Sequence, residues 1–485
     1  MPRPLRVIVL VLVSLTASAT VAFADPPVPG SEAATESESV TEPAPESGLE
    51  TARPRVMTLG GLMHSAMSHW PGISAARHRV EAADARLTEA WVSPLFQLTA
   101  TGSFALVPGA RGTPVFSPDA QLPLNNSWGP AGAVRVEGAI PLFTFGKLDA
   151  ARDAARAGIR AAESDVDRVR AQLRFDVRRA YYALELALDA EQMISEGRSK
   201  LDQAVARLQE RIENDDPDVN EMDRWRMSST LAEVDGRSSE ANRLHQISYE
   251  ALSILSTEEN FALPDCAMTA LSFDLRALSY YQDTARSHRP EAAQLMAAIA
   301  ARDASLSLTR AQYFPDIALA VSAGYSRTPG VTDQSNPFVQ DSGNTPTLGA
   351  ALVARWSLDL WGNSLRVRRA REELYDAHDR ADEARSGISL EVATIYEELR
   401  DARRREESWG RGHRDTRAWF MAAAQAYQIG TAEPRDLVDA LRAYFQARFS
   451  HIQAIHDNNV AAAKLERAIG VELMPESAWE VTCPE

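Results

Sequence analysis

The residues Pro-Leu-Phe-Thr-Phe-Gly at 141–146 end one kind of sequence pattern and begin another. Before them, residues 131–142 alternate with a period of two, which predicts a β-strand. After them, 148–213 contains no proline and repeats apolar residues every three or four positions, which predicts one helix of about 66 residues and ~100 Å. Gly146 supplies the backbone freedom that a turn from strand to helix needs. The stretch therefore predicts a strand that leads directly into a very long helix.

The same order of segments occurs again in the second half of the chain. Alternating residues follow Pro94 in the first half and Pro315 in the second, and a proline-containing loop then leads to a further strand. Gly362 is the predicted counterpart of Gly146. We therefore predict two repeats, each made of helix, strand, loop, strand, very long helix, turn and helix. The predicted boundaries are 56–286 and 287–473 for the repeats, 97–106, 131–142, 317–325 and 347–358 for the strands, and 148–213, 218–256, 364–429 and 435–470 for the helices.

The first 24 residues have the pattern of a cleaved export signal. Two arginines precede an apolar run at 7–15, and Ala-Phe-Ala at 22–24 forms a small-residue cleavage site. An anchoring helix is the alternative, but nine apolar residues are too few for a hydrocarbon core of ~30 Å. No cysteine follows the cleavage site, so no lipid anchor is expected there. Residues 25–55 are acidic and rich in proline and serine, which predicts a disordered linker, and 474–485 form a C-terminal tail.

The composition argues against several classes of protein. The chain has 51 Lys and Arg against 67 Asp and Glu, a net charge of −16 that becomes −18 when the two arginines of the signal are removed. Nucleic-acid binding needs a basic face and is not expected. Two cysteines are too few for a disulfide scaffold. The histidines lack metal-ligand spacing, and nucleotide-binding and nucleophile motifs are missing, so we expect no metal, no cofactor and no enzyme activity.

The four predicted strands leave two interpretations open. No segment of the mature chain is apolar enough for a membrane-spanning helix, so insertion into a membrane would have to use strands. Four strands alone would leave backbone groups of the sheet edges unbonded in hydrocarbon, so several chains would have to share one barrel. The alternative is a soluble periplasmic adaptor or helical rod that carries two hairpins. The duplicated hairpins, with strands of about ten residues, favour the membrane interpretation.

Taken together, these motifs resemble the TolC-type outer-membrane efflux proteins, the outer membrane factors of tripartite export systems. The resemblance extends from 57 to 470 and implies an α+β homotrimer. Its twelve shared strands would form a barrel in outer-membrane lipid, and its helices a periplasmic coiled-coil tunnel. The motifs are the strand ends at 141–146 and 358–362, Pro-Asp-Ile-Ala-Leu at 315–319, Tyr-Gln-Ile-Gly at 427–430, Asp-Leu-Val-Asp-Ala at 436–440 and Leu-Glu-Arg-Ala-Ile-Gly at 465–470.

The resemblance also implies a function and partners. The protein would be a passive exit channel for efflux or type I secretion. It would dock on a periplasmic adaptor, also called a membrane fusion protein, and receive cargo from an inner-membrane pump of the RND, ABC or MFS type. The cargo itself is not implied by any motif.

The same resemblance places a pore gate at the periplasmic tip. Asp436 and Asp439 match the paired aspartates of the family, and Asp218 and Glu221 take the same place in the first half of the chain. Threefold symmetry would turn each acid into a ring of carboxylates, which favours cations. The alternative is that acids near a helix N-terminus interact well with the helix dipole in any protein.

The tip turn and the tails carry the remaining candidates. Tyr427 matches the gate tyrosine of the family, and Gly430 lies in the tip turn. Ala432 stands where the best-known members have an arginine that links neighbouring subunits. The resemblance therefore does not identify the contacts that close the gate in this chain. Cys266 and Cys483 each follow the last helix of a repeat, where the two tails are expected to meet. An oxidising periplasm would allow a disulfide between them.

Overall fold

The structure is a computed structural model that describes residues 54–95, 97–108, 128–214, 221–329, 343–429 and 431–473. The predicted signal peptide, the predicted linker up to residue 53 and the C-terminal tail lie outside the described residues, as do Asp218, Gly430 and Cys483. The chain divides into two compact units. Among the described residues, the first unit holds 88–152 and 307–367, and the second holds 54–87, 153–306 and 368–473.

The chain combines long helices with short strands, so its fold class is α+β. In chain order the elements are β1 (Arg55–Val56), α1 (Leu59–His69), α2 (Pro71–Val92), a 3₁₀ turn (Ser93–Leu95), β2 (Leu98–Pro108), β3 (Trp128–Phe143), α3 (Lys147–Glu213), α4 (Glu221–Ser256), β4 (Phe261–Ala262), α5 (Leu278–His288), α6 (Pro290–Ala311), β5 (Asp316–Arg327), β6 (Pro346–Arg355), α7 (Leu360–Gln428) and α8 (Pro434–Ile469).

The first unit is built around a four-stranded antiparallel sheet. Its strand order is β2-β3-β5-β6, so the central ladder joins a strand from each half of the chain. β2 and β3 pair along the whole of β2, from Leu98 opposite Gly138 to Pro108 opposite Trp128. One register shift, between Pro141 and Phe143, interrupts the β3–β5 ladder. The register therefore fixes which residues share a face of the sheet.

The two strand-to-helix junctions of this unit differ. After β3 the chain turns at Phe145 and Gly146, whose φ angles of 52° and 85° lie in the left-handed region. After β6, the carboxylate of Asp359 accepts a hydrogen bond of 2.9 Å from the backbone N–H of Gly362 and caps α7. Gly362 thus lies in the first turn of α7 and is not the turn glycine that the sequence predicts. Because its partner β5 begins at Asp316, which lies opposite Arg355, β6 ends at Arg355 and not at residue 358.

The second unit is helical, and its core follows the apolar seam of the long helices. Leu173, Val177, Tyr181 and Leu184 recur every three or four residues of α3 and are at most 3% exposed. They form one core cluster with apolar residues of α1 and α4. A second cluster joins α7, near residues 388–399, to the end of α8. A narrow stripe of apolar residues therefore holds these helices together, as in coiled-coil packing.

The structure adds two short helices and a small strand pair that the sequence pattern does not predict. α1 and α5 each end two residues before a helix whose first residue is proline, Pro71 or Pro290. Proline suits the first helical position, since its missing N–H would have no partner there. The residue before each proline is extended, with ψ of 120° at Trp70 and 128° at Arg289. β1 and β4 pair in parallel elsewhere in the second unit.

Candidate functional site

One face of the four-stranded sheet is apolar along its whole width. Cross-strand partners share a face, and alternate residues of a strand point to opposite faces. The pairing therefore places the large apolar residues of all four strands together. They are Leu98, Phe104 and Leu106 of β2, Trp128, Val134, Val136 and Ile140 of β3, Ile317, Leu319, Val321 and Tyr325 of β5, and Leu348 and Leu352 of β6.

On the two edge strands, β2 and β6, large side chains of this apolar face are not covered by the described chain. Phe104 is 76% exposed, Leu348 91% and Leu352 70%. Scattered apolar residues on a surface are ordinary, but a continuous patch marks contact with a membrane or another protein. This face is therefore a contact surface.

The opposite face of the sheet carries mostly polar or small residues, together with Val107 and Val353. It carries threonines and serines from every strand except β3, whose polar side chains there are Arg135 and Glu137. The other ionisable residues of this sheet, Asp316, Arg327 and Arg355, lie at strand ends. The sheet is thus apolar on one side and suited to water on the other.

The edges of the sheet are open in the described chain. β2 pairs only with β3, and β6 pairs only with β5. Each edge strand therefore presents backbone N–H and C=O groups on its outer side without a strand partner. Such edges are templates for pairing with another strand.

Polar contacts hold the start of β5 in place. Pro94 lies in the 3₁₀ turn before β2, and Pro315 directly precedes β5. Beside Pro315, the Nζ of Lys147 donates to the carbonyl oxygen of Phe314 at 3.0 Å and lies 2.8 Å from the carboxylate of Asp316. These contacts fix the start of β5 against the start of α3.

The second candidate site lies where α3 and α7 end. Tyr427 is in the last turn of α7, and the Nη1 of Arg211, in the last turn of α3, donates to its hydroxyl at 3.2 Å. The sequence identifies Tyr427 as a candidate but not Arg211. Each lies three residues before the break in its half of the chain, at Asn214 and Gly430. A residue-by-residue comparison of the two halves is the signal that would find Arg211.

The described acids of this tip are exposed at the starts of the returning helices. Asp436 is in the first turn of α8. Asp439, three residues later, has an Oδ2 that lies 3.8 Å from Nε of Arg435. Glu221 is the first residue of α4 and pairs with Arg224 at 2.6 Å. Residues three apart lie on one side of a helix, so Asp436 and Asp439 share a face of α8.

Ion pairs join the helical hairpin α3/α4 to the hairpin α7/α8. Arg448 of α8 lies 2.6 Å from Glu196 of α3, and Arg442 of α8 pairs with Glu233 of α4. Exposed pairs of this kind contribute at most ~1 kcal/mol each. These ion pairs are individually weak, and buried apolar side chains such as Leu201 of α3 and Leu441 of α8 also join the two hairpins.

None of the helices in the described chain has an apolar stretch long enough to cross a lipid bilayer. Within the same residues, no three His, Cys, Asp or Glu side chains are grouped so that they could hold a metal ion.

The family model for outer membrane efflux proteins matches residues 62–214 and 282–471. The chain belongs to the outer membrane efflux protein family. It is similar to the outer-membrane channel OprN, with 18% identity, a TM-score of 0.69 and coverage of 91% of this chain and 100% of that one. The outer membrane protein VceC of Vibrio cholerae is 17% identical, with a TM-score of 0.68 and coverage of 86% of this chain and 97% of that one. The outer membrane channel CmeC of Campylobacter jejuni is 15% identical, with a TM-score of 0.67 and coverage of 93% of this chain and 96% of that one. No curated protein sequence matches the chain.

In this efflux protein a non-helical segment at 257–277, here called the strap, is held by polar side chains of α3 and α8. The carboxylate of Asp189 accepts a hydrogen bond from the backbone N–H of Met268 at 3.1 Å. The amide of Asn459 accepts one from the N–H of Leu271 at 2.8 Å and donates one to the carbonyl oxygen of Thr269 at 2.9 Å. Sequence reasoning missed these residues, because no local pattern reports which side chains bind a distant backbone.

A small cavity of about 40 Å³ beside the strap is lined by polar side chains, among them Glu185 and Asn459, and by apolar ones such as Leu59 and Leu271. Burial raises the pKa of Glu185 there to about 7, against the lowering effect of its hydrogen bond with Tyr181. Arg178 and Glu466 form a buried ion pair at the same cavity. Cys266 also lines it and is disulfide-bonded. Its predicted partner, Cys483, lies outside the described residues, so that pairing stays a prediction.

Proposed function

We propose that three copies of this protein form one outer-membrane channel, with a shared β-barrel that continues as a periplasmic helical tunnel. The channel is a passive exit duct. An inner-membrane transporter of the RND, ABC or MFS type supplies the energy and delivers the cargo through a periplasmic adaptor protein. The observation that carries the proposal is the exposed apolar face of the sheet, backed by a polar face.

Lipid is the partner that the apolar face fits. Each square ångström of apolar surface removed from water contributes ~25 cal/mol, and side chains such as Phe104, Leu348 and Leu352 are mostly exposed without such a partner. Barrels of the outer membrane have an apolar outside and a polar, water-filled inside. The alternation of this sheet supports that arrangement and disfavours a soluble rod or adaptor.

The open edges support a barrel that several chains share. A backbone group without a hydrogen-bond partner in hydrocarbon costs several kcal/mol, so β2 and β6 cannot remain open in a membrane. Because the strand number per chain is even, β6 of one chain and β2 of the next run antiparallel and can pair. Four strands are fewer than the ~8 of the smallest outer-membrane barrels, whereas three chains supply twelve.

Strand length supports a transmembrane position. β2, β5 and β6 contain 11, 12 and 10 residues. Ten residues at ~3.3 Å each, tilted by ~40°, rise ~25 Å along the membrane normal. This is the height of the apolar band of outer-membrane barrels.

The tip is assigned as the periplasmic gate. In a threefold assembly Asp436 and Asp439 form two rings of carboxylates, which attract cations. The helix-dipole alternative accounts for Asp436, in the first turn of α8, but the dipole effect falls off before Asp439. Arg211 and Tyr427 link α3 to α7 within a chain, in the place of the intersubunit arginine that Ala432 replaces.

The experiment measures mass and ion conductance of the purified protein. Light scattering in detergent should give the mass of three chains, and planar bilayers should show cation-selective channels. Asp436→Asn with Asp439→Asn should lower the cation preference. The matched control is Glu240→Gln, which removes an exposed carboxylate paired with Arg237 on α4 and should leave it unchanged. A monomer that is soluble without detergent and gives no conductance would contradict the channel.

A further inference from the structure

The interior of the sheet contains two charged side chains, and both lie in one strand. Arg135 and Glu137 are two residues apart in β3, so they share a face. That face is the polar one, as their cross-strand partners on β2 are Thr101 and Thr99. Val136 between them lies on the apolar face. A charge on the lipid side of a barrel is destabilising, so this placement matches a water-filled lumen.

The cross-strand neighbours of Arg135 and Glu137 all belong to the same chain, because β3 lies between β2 and β5. On β5, Arg135 lies opposite Gly324 and Glu137 opposite Ser322. The Cγ of Arg135 is 3.9 Å from the point that a Cβ at Gly324 would occupy, so the arginine stem lies over the glycine. Short, uncharged partners on both sides leave the two charged groups exposed, and no adjacent strand supplies a counter-charge.

We propose that Arg135 and Glu137 form a charged band in the barrel lumen, where the cargo meets charges of both signs. The inference rests on the proposed channel, in which three chains place three copies of each residue around one lumen. Same-face residues two apart are separated by ~7 Å, so the arginine level and the glutamate level are adjacent. The planar guanidinium suits carboxylate or phosphate groups of a solute, and the carboxylate suits cationic amines. This band acts in addition to the acids of the tip.

A cysteine reporter beside the band tests the proposal independently of the gate. Ser322→Cys places a thiol opposite Glu137 on the same face. The measurement is the ratio of its reaction rates with a cationic and an anionic methanethiosulfonate reagent, added to the trimer in vesicles. For ~6 Å between charge and thiol, Glu137→Gln should lower this ratio about threefold at ~0.1 M salt, and Arg135→Gln should raise it by a similar factor. At ~1 M salt both effects should shrink to less than about 1.5-fold.

The adjacent residue supplies the matched control. Val321 lies on the apolar face, so Val321→Cys should react with neither reagent in a membrane. Parent protein without an added cysteine reports any reaction of Cys266 and Cys483; none is expected, because Cys266 is disulfide-bonded and Cys483 is its predicted partner. Each variant is first required to show the trimer mass in detergent, so a misfolded variant is not scored.

The outcomes separate this inference from the channel itself. Reaction of Ser322→Cys with a ratio that neither substitution changes overturns the charged band and leaves the channel standing. Reaction at Val321→Cys but not at Ser322→Cys overturns the band and the assignment of the sheet faces. Absence of a trimer and of conductance overturns the proposed function.

Discussion

The substitution Leu352→Arg should destabilise the membrane-inserted protein, whereas Ala351→Arg should not. Leu352 lies opposite Leu319 on the apolar face and is 70% exposed, while Ala351 lies opposite Ala320 on the polar face. Both residues are near the middle of β6. An arginine on the lipid side of a barrel costs ~2–4 kcal/mol at the bilayer midplane. Loss of the leucine from lipid adds ~1–2 kcal/mol.

The expected cost of Leu352→Arg is therefore about 3–6 kcal/mol per chain. It can be measured by guanidinium titration in phospholipid vesicles, with tryptophan fluorescence as the signal and the folded fraction checked by resistance to protease. The arginine introduced by Ala351→Arg faces the water of the lumen, so this variant should change the free energy of unfolding by less than ~1 kcal/mol. Equal losses at both positions, or a larger loss for Ala351→Arg, would refute the two-faced sheet.

Three further predictions concern the helical unit. Tyr427→Phe removes the acceptor for Arg211, a bond of ~1–2 kcal/mol, and should raise the open probability in planar bilayers; an unchanged open probability would count against the gate assignment. Because burial raises the pKa of Glu185 to about 7, its ionised form is disfavoured in the folded state, so stability should fall as the pH rises from 5 to 8, by at most about 3 kcal/mol. Glu185→Gln should remove that fall in denaturant titrations, and an equal slope in both proteins would exclude Glu185 as its cause. Thiol titration of the unfolded, non-reduced protein should find no free thiol if Cys266 is bonded to Cys483, whereas two thiols would disprove the bond.

Local sequence pattern predicts the long helices well, because their signal comes from many residues. The seam through Leu173, Val177 and Leu184 repeats over several turns, so single exceptions do not obscure it. Helix ends differ from the predicted ends by only a few residues, because caps and prolines are local. Strand order and register are harder to predict from local pattern, since the pairing of β3 with β5 joins residues from the two halves of the chain.

Proline shows why strand ends are harder to predict. The predicted second strand begins after Pro130, because the sequence pattern assigns the proline-rich segment that ends at Pro130 to a loop. In the structure β3 begins at Trp128, and β5 reaches only to the residue opposite Gly132. Pro130 therefore has β2 as its one strand neighbour, and its missing N–H is tolerated there. Pro141 lies at the register shift of the same strand.

The candidate site can be predicted only in part from the sequence, because some of its contacts join residues that are far apart in the chain. Tyr427 and the tip acids are identified by motif, and the hydrogen bond between Arg211 and Tyr427 follows from the packing of α3 against α7, which no motif reports. The predicted role of Gly362 rests on its analogy with Gly146. Its actual environment depends on the cap at Asp359, which replaces a glycine turn with a side-chain hydrogen bond.

The strap has a consequence for how this sequence can change. Asp189 and Asn459 bind the strap through its main chain, and main-chain groups are the same for every residue except proline. Exposed strap positions such as Thr269 should therefore accept most substitutions in a saturation library. Asp189 and Asn459 should accept very few, although both lie far from the strap in sequence. Variation in this protein should thus concentrate on the segment that is held and be scarce among the side chains that hold it.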